Sequence, residues 1–128
     1  MKQVLLAGKT FNVHQTDAQS QLEVYTLIGA GLAYTVNKSG VKGEINESML
    51  VGYLMSMDLP RLTKVANLLL TKVRVHGEDN TMIDIKMFEG QIMSYYQLIA
   101  EAVRLNLTDF FTYILSVEKS AESQQPSA

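Results

Sequence analysis

The 128-residue sequence contains no cysteine and no tryptophan, and it has only two prolines. Without cysteine the chain can form no disulfide, no thiolate metal site and no thiol nucleophile, which fits a reducing compartment. The formal net charge is only −2, so we expect no overall electrostatic attraction to nucleic acid or to an anionic membrane. Charged residues or prolines interrupt every apolar run, so no membrane span is predicted.

Residues typical of catalytic or metal sites are also few. The two histidines, His14 and His76, lie near the ends of predicted strands. Only Glu78 and Asp79, next to His76, could serve as nearby acidic partners. The sequence has no Gly-x-Ser-x-Gly, His-Glu-x-x-His or EF-hand pattern. We therefore predict a protein that is not an enzyme and has no catalytic residue, cofactor or metal site.

The remaining residues follow helix and strand patterns. Two short apolar segments around a glycine-containing turn predict an N-terminal hairpin over residues 4–13. Helical spacing and capping residues predict helices over about 16–34, 46–57, 58–71, 89–105 and 108–118, with a loop over 37–43. The predicted caps are Thr16 in a capping box with Gln19, then Asn46, Asp58, and Thr108 or Asp109.

A second hairpin is predicted between the third and fourth helices. Residues 72–76 and 82–86 both alternate with period two, and Gly77-Glu78-Asp79-Asn80 between them has the composition of a turn. The predicted fold class is therefore mainly α (α+β): a helical bundle of about four to five helices with an N-terminal β-hairpin and a second short hairpin. We expect one domain over residues 1–119 and a disordered polar tail over 120–128.

Two glycines, Gly29 and Gly31, interrupt the first predicted helix. Each glycine costs roughly 1 kcal/mol relative to alanine inside a helix. They either permit close packing against another helix or are simply tolerated, and the sequence leaves both interpretations open.

The predicted helix over 89–105 is unusual because it is apolar over most of its circumference. Its polar residues gather on one arc of about 80°: Ser94, Gln97, Glu101 and Arg104. A surface helix normally needs an apolar stripe of only about 100°. Either this helix is the central helix of the domain, or one of its apolar stripes contacts a partner.

The order of these parts resembles a known family. An N-terminal hairpin and a helical body are followed by Phe-Glu-Gly at residues 88–90 and by Asn-x-x-Asp-Phe-Phe at residues 106–111. This arrangement resembles the tail assembly chaperones of long-tailed (siphovirus-type) bacteriophages. The likeness covers most of residues 1–118 and is sharpest over 88–111.

The resemblance implies a protein that binds the long, helical tape-measure protein and keeps it soluble while the tail tube assembles around it. Such chaperones act in the host cytoplasm and are absent from the mature virion. The resemblance also implies a longer form made by ribosomal frameshifting, whose extension recruits the tail-tube protein. Apolar and aromatic residues around the two motifs are the candidates for partner contact: Met87, Met93, Tyr95, Tyr96, Phe110, Phe111 and Tyr113.

The alternative is a small helical adaptor or regulator that binds nucleic acid through a basic cluster. This cluster consists of Arg61, Lys64, Lys72 and Arg74, with no acidic residue from 61 to 76. Four charges without interleaved aromatics are a weak signal for nucleic acid, so we expect neither nucleic acid nor a membrane as a partner. Either function predicts a homo-oligomer, because excess apolar helix surface must be covered.

Overall fold

The computed structural model describes residues 1–38 and 46–114. Most of the predicted 37–43 loop, the end of the last helix, the domain boundary at 119 and the tail over 120–128 lie outside these residues. The strands are β1 (Lys2–Leu6), β2 (Lys9–Val13) and β3 (Val73–Val75), and the helices are α1 (Ala18–Lys38), α2 (Glu47–Met55), α3 (Leu59–Leu70) and α4 (Ile92–Asn106). A helical segment over 108–114, here called α5, follows α4. The mainly α (α+β) fold class with an N-terminal hairpin is confirmed.

The N-terminal hairpin forms as predicted around a two-residue turn. Ala7 and Gly8 both have positive φ, 53° and 73°, as the turn type that matches strand twist requires. Strands β1 and β2 pair antiparallel, with Val4 opposite Phe11. Phe11 and Val13 are fully buried, so the hairpin lies on the helical body.

The predicted second hairpin is wrong. Strand β3 pairs with β2, with Phe11 opposite Val75, and not with residues 82–86. Val73 and Val75 are both buried beside the β2 side chains, so pairing in the existing sheet adds apolar burial that a separate hairpin would lack. Residues 82–84 carry no regular structure, and Ile85–Phe88 form a 3-10 helix instead.

Two of the predicted helix caps are confirmed. The Asn46 side chain accepts a hydrogen bond from the Met49 N–H, and the Asp58 side chain accepts one from the Arg61 N–H. Helix α1 is capped by Asp17 and not by Thr16, because the Asp17 carboxylate accepts from the Ser20 N–H at 2.7 Å. This backbone hydrogen bond lowers the pKa of Asp17.

The prediction of Thr108 or Asp109 as the last cap is also wrong. The Thr108 hydroxyl donates to the carbonyl oxygen of Arg104, and the Asp109 carboxylate accepts from the Tyr25 hydroxyl. Both side chains therefore fasten α5 to the preceding helix and to α1.

Helix α4 is the central helix of the domain. Leu98, Ile99, Ala102 and Val103, which come from both predicted apolar stripes, are buried. Even Glu101 of the polar arc is only 7% exposed, because β1 crosses it and the Lys2 ammonium lies 2.5 Å from its carboxylate. The core accordingly uses both apolar stripes of α4. Among the described residues, no helix has the length and apolar character needed to cross a membrane.

Helix α4 begins at Ile92, three residues later than predicted. Gly90 has φ +76°, a left-handed conformation that few residues other than glycine adopt. It separates the 3-10 helix from α4.

The two glycines of α1 differ in their surroundings. A Cβ at Gly29 would meet only ordinary contacts at 4.0 Å, whereas one at Gly31 would lie 2.5 Å from the Tyr53 hydroxyl oxygen. That hydroxyl donates to the carbonyl oxygen of Ile28 at 3.2 Å. Gly31 therefore permits the close approach of α2, and Gly29 is a tolerated glycine.

Alanine substitutions at these two glycines should change stability in opposite directions. Gly29→Ala should raise the free energy of unfolding by about 0.5–1 kcal/mol through helix propensity. Gly31→Ala should lower it by about 1 kcal/mol, because displacement of Tyr53 outweighs the same gain. Urea unfolding measures both values. In a Tyr53→Phe background the cost of Gly31→Ala should shrink, and equal stabilisation by the two alanines would contradict this explanation.

Candidate partner-binding surfaces

The seven residues predicted for partner contact lie at two ends of α4. Met87, Met93, Tyr95 and Tyr96 lie in or just before its first turns, whereas Phe110, Phe111 and Tyr113 lie beyond its last residue. A 15-residue helix is about 22 Å long. The structure therefore separates the predicted residues into two groups on different parts of the molecule.

The first group surrounds a buried aromatic cluster. The Phe88 ring stacks on the Phe11 ring at a centroid distance of 5.7 Å and contacts the Tyr95 ring at 5.4 Å. Met87, Tyr95 and Tyr96 are half-buried against this part of the core, and Met93 is exposed. Burial raises the pKa of Tyr95, with a further contribution from Asp84.

A groove runs beside this cluster, between α3 and the segment 82–85, and we call it the α3 groove. Its volume is about 490 Å³. Met82 and Ile85 form one wall and are 51% and 54% exposed. The other lining residues are Thr63, Ala66, Asn67, Leu70, Thr71, Ile83, Asp84 and Tyr95.

Of the predicted residues, only Tyr95 lines the α3 groove. The strand pattern of residues 82–86 was the one sequence signal for its outer wall, and it was assigned to a hairpin instead. Because this segment lies unpaired beside α3, it exposes Met82 and Ile85 rather than alternating them across a sheet.

The second group lies around a groove between α1 and α5, the α1–α5 groove, with a volume of about 850 Å³. The Tyr25 and Phe110 rings meet edge to face at 5.4 Å, and the Tyr25 hydroxyl donates to Asp109 at 2.8 Å. Burial and this hydrogen bond raise the pKa of Tyr25 to about 12. Phe111 is buried and Tyr113 is exposed.

Most of the side chains that line the α1–α5 groove are polar. The polar lining residues are Gln15, Gln21, Asn106, Thr108, Asp109 and Thr112, and the other three are the aromatic residues Tyr25, Phe110 and Tyr113. Asn106 is buried and accepts from the Thr16 N–H at 2.8 Å and from the Gln21 side chain at 3.1 Å. It also donates to the carbonyl oxygen of Ala102 at 2.8 Å. This residue therefore ties the start of α1 to the end of α4.

Two of the four residues of the basic cluster, Arg61 and Arg74, have partners within the fold. The Arg74 guanidinium donates to the backbone carbonyl oxygens of Thr71, Val73 and Asp79. Arg61 lies 3.9 Å from the Asp58 carboxylate. His76 faces the Asn12 side chain at 3.3 Å. Within residues 1–38 and 46–114, no group of three histidine or acidic residues could hold a metal ion.

Comparison with known proteins identifies one family. No curated protein and no solved structure matches the chain. A family model described as "Phage tail assembly chaperone protein, TAC" matches residues 7–119. This range contains both grooves and the aromatic cluster between α3 and α4. It also contains the two motifs on which the sequence resemblance was sharpest. The chain therefore belongs to the phage tail assembly chaperone family.

Proposed function

We propose that this chaperone binds the tape-measure protein of a siphovirus-type phage through the α3 groove and has no enzymatic role. It keeps that client soluble in the host cytoplasm while the tail tube polymerises around it, and it is absent from the mature virion. Membership of the tail assembly chaperone family supports the role. The exposed apolar wall of the α3 groove is the observation that supports this groove as the binding site.

The composition of the α3 groove suits an amphipathic helix. Ala66, Leu70 and Ile83 form an apolar floor, while Asn67 and Asp84 supply polar groups. A client helix can lay its apolar face on such a floor and leave its polar face in water. Met82 adds an unbranched, adaptable side chain, which suits a client that presents many similar helical segments.

The predicted partner residues take different roles in this proposal. Met93 and the exposed part of Tyr95 extend the client surface from the groove, with Met87 and Tyr96 packed behind them. Tyr113 and the exposed edge of Phe110 form a second contact region, and buried Phe111 holds α5 in place. A longer frameshifted form would bring the tail-tube protein to the same complex, as the family resemblance implies.

Charge placed on the wall of the α3 groove should abolish client binding. We expect the double variant Met82→Asp/Ile85→Asp to retain less than about a tenth of the tape-measure protein that the unmodified chaperone keeps soluble, because burying unpaired carboxylates against an apolar client face costs more than the roughly 1.4 kcal/mol of a tenfold loss in affinity. Co-expression followed by affinity purification measures the soluble, co-purified client.

Leu59→Asp is the matched control for this experiment. Leu59 is more exposed than the wall residues, but it begins α3 and does not line the groove. The control should bind the client fully. If the double variant is folded by circular dichroism and still retains its client, the α3 groove is not the binding site. If the unmodified chaperone fails to retain the client, the proposed function is wrong.

A further inference from the structure

Strand β1 forms an edge of the sheet that no other strand of the described residues covers. The strand order is β1-β2-β3. The Thr10 carbonyl oxygen accepts from the His76 N–H at 2.8 Å, and the His14 N–H donates to the backbone carbonyl oxygen of Lys72 at 3.2 Å. The even-numbered residues of β2 therefore point their backbone N–H and C=O groups toward β3. The backbone groups of the odd-numbered residues of β2 point the other way, toward β1, where Phe11 pairs with Val4. It follows that Gln3 and Leu5 point their backbone N–H and C=O groups away from the sheet.

Among the described residues, no backbone or side-chain partner satisfies these outward groups of Gln3 and Leu5, and the Leu5 side chain is 72% exposed. Sheet edges are commonly protected by lysine, proline or a bulge. Strand β1 has no proline and pairs with β2 without a bulge, and its one lysine, Lys2, is turned onto Glu101.

We propose that a second copy of this chain pairs with the open edge, β1 against β1, in an antiparallel arrangement. A two-fold axis at Val4 places Gln3 of each copy opposite Leu5 of the other, so that their outward N–H and C=O groups pair across the axis. The two three-stranded sheets then form one continuous sheet. The α4 helices of both copies lie on the same face of it.

The charges and the surroundings of the edge favour a second copy over a foreign peptide. In this register Lys2 lies opposite Leu6 of the other copy, and each Lys2 is already neutralised within its own copy by Glu101. The two Val4 side chains meet on the helix side, where apolar contact stabilises a strand pair. The Gln3–Leu5 pair forms twice about the two-fold axis, so a second copy supplies the complementary strand without any further sequence requirement.

The pairing should be weak, because a five-residue strand buries less surface than a standard stable interface. Sedimentation velocity and amide hydrogen exchange across a concentration series test it. At concentrations that give about 90% dimer, the Gln3 and Leu5 amides should exchange about tenfold more slowly than in the monomer. The amides of Val4 and Leu6, already bonded to β2, should change less.

Leu5→Pro removes an outward N–H without touching the pairing with β2, and proline is tolerated on an edge strand. This variant should remain monomeric at the concentration where the unmodified chain dimerises, and Leu22→Lys on α1 should dimerise normally. A monomer at every concentration would overturn the proposal. Amide exchange at Gln3 and Leu5 that does not change with protein concentration would also overturn it. This measurement uses the unmodified chain, so it does not depend on the folding of a variant. These measurements need no client, so their outcome is separate from that of the tape-measure experiment.

Discussion

Phe88→Ala is expected to lower the free energy of unfolding by about 3–5 kcal/mol. Phe88 is 1% exposed, and its ring packs between those of Phe11 and Tyr95. The substitution removes contacts to the sheet and to α4 at once, and rigid neighbours on both sides cannot fully collapse into the cavity. Since small domains are stable by only about 5–15 kcal/mol, much of the total stability would be lost.

Chemical denaturation of the purified variant, followed by far-UV circular dichroism, measures this loss. Tyr113→Ala is the control, because Tyr113 is an aromatic residue of similar size that is 67% exposed. It should change the free energy of unfolding by no more than about 0.5 kcal/mol. Similar losses for the two variants would mean that Phe88 is not a central contact between the sheet and the helices.

Asn106→Leu should have the second largest effect, a loss of about 2–3 kcal/mol. The substitution leaves the buried Thr16 N–H without its acceptor and removes the side-chain donor to the Ala102 carbonyl oxygen. Desolvated and unpaired groups cost about 1–3 kcal/mol each, and leucine adds apolar contact that offsets part of this.

The same site offers a graded comparison. Gln21→Met removes only the partly buried hydrogen bond from Gln21 to Asn106 and leaves the bond to Thr16 intact. It should cost about 0.5–1 kcal/mol. The Thr16 amide should exchange rapidly with solvent only in Asn106→Leu. Equal losses in the two variants would show that the Thr16 bond is not the important one.

Features fixed by neighbouring residues could be predicted from the sequence. The Ala7-Gly8 turn, the Asn46 and Asp58 caps and the breadth of the apolar surface of α4 each depend on a few adjacent positions. The errors arise where a distant residue competes. Asn106, 90 positions away, takes the Thr16 N–H, and β2 rather than residues 82–86 pairs with β3.

The candidate partner-binding surface likewise depends on residues that are distant in the sequence. Aromatic content selected Tyr95, Tyr113 and Phe111 alike, and it could not show that Phe111 is buried, because exposure depends on which helices pack together. The α3 groove was not predicted at all. It exists because the Met82–Ile85 segment lies beside α3. The segment is free to lie there because it does not pair with β3 in the hairpin that the local sequence favours.

The position of α4 along the chain also has a consequence for synthesis. The helix around which the sheet, α2 and α3 pack begins only at Ile92. At about 5–20 residues per second, the ribosome needs roughly 5–18 seconds to make the preceding segments, which lack their central packing partner until then. We expect the complete core to form only after α4 has been synthesised. Until then the faces of α2, α3 and the sheet that pack on α4 lack this cover, so the nascent chaperone itself exposes apolar surface, as does the client that it is proposed to protect.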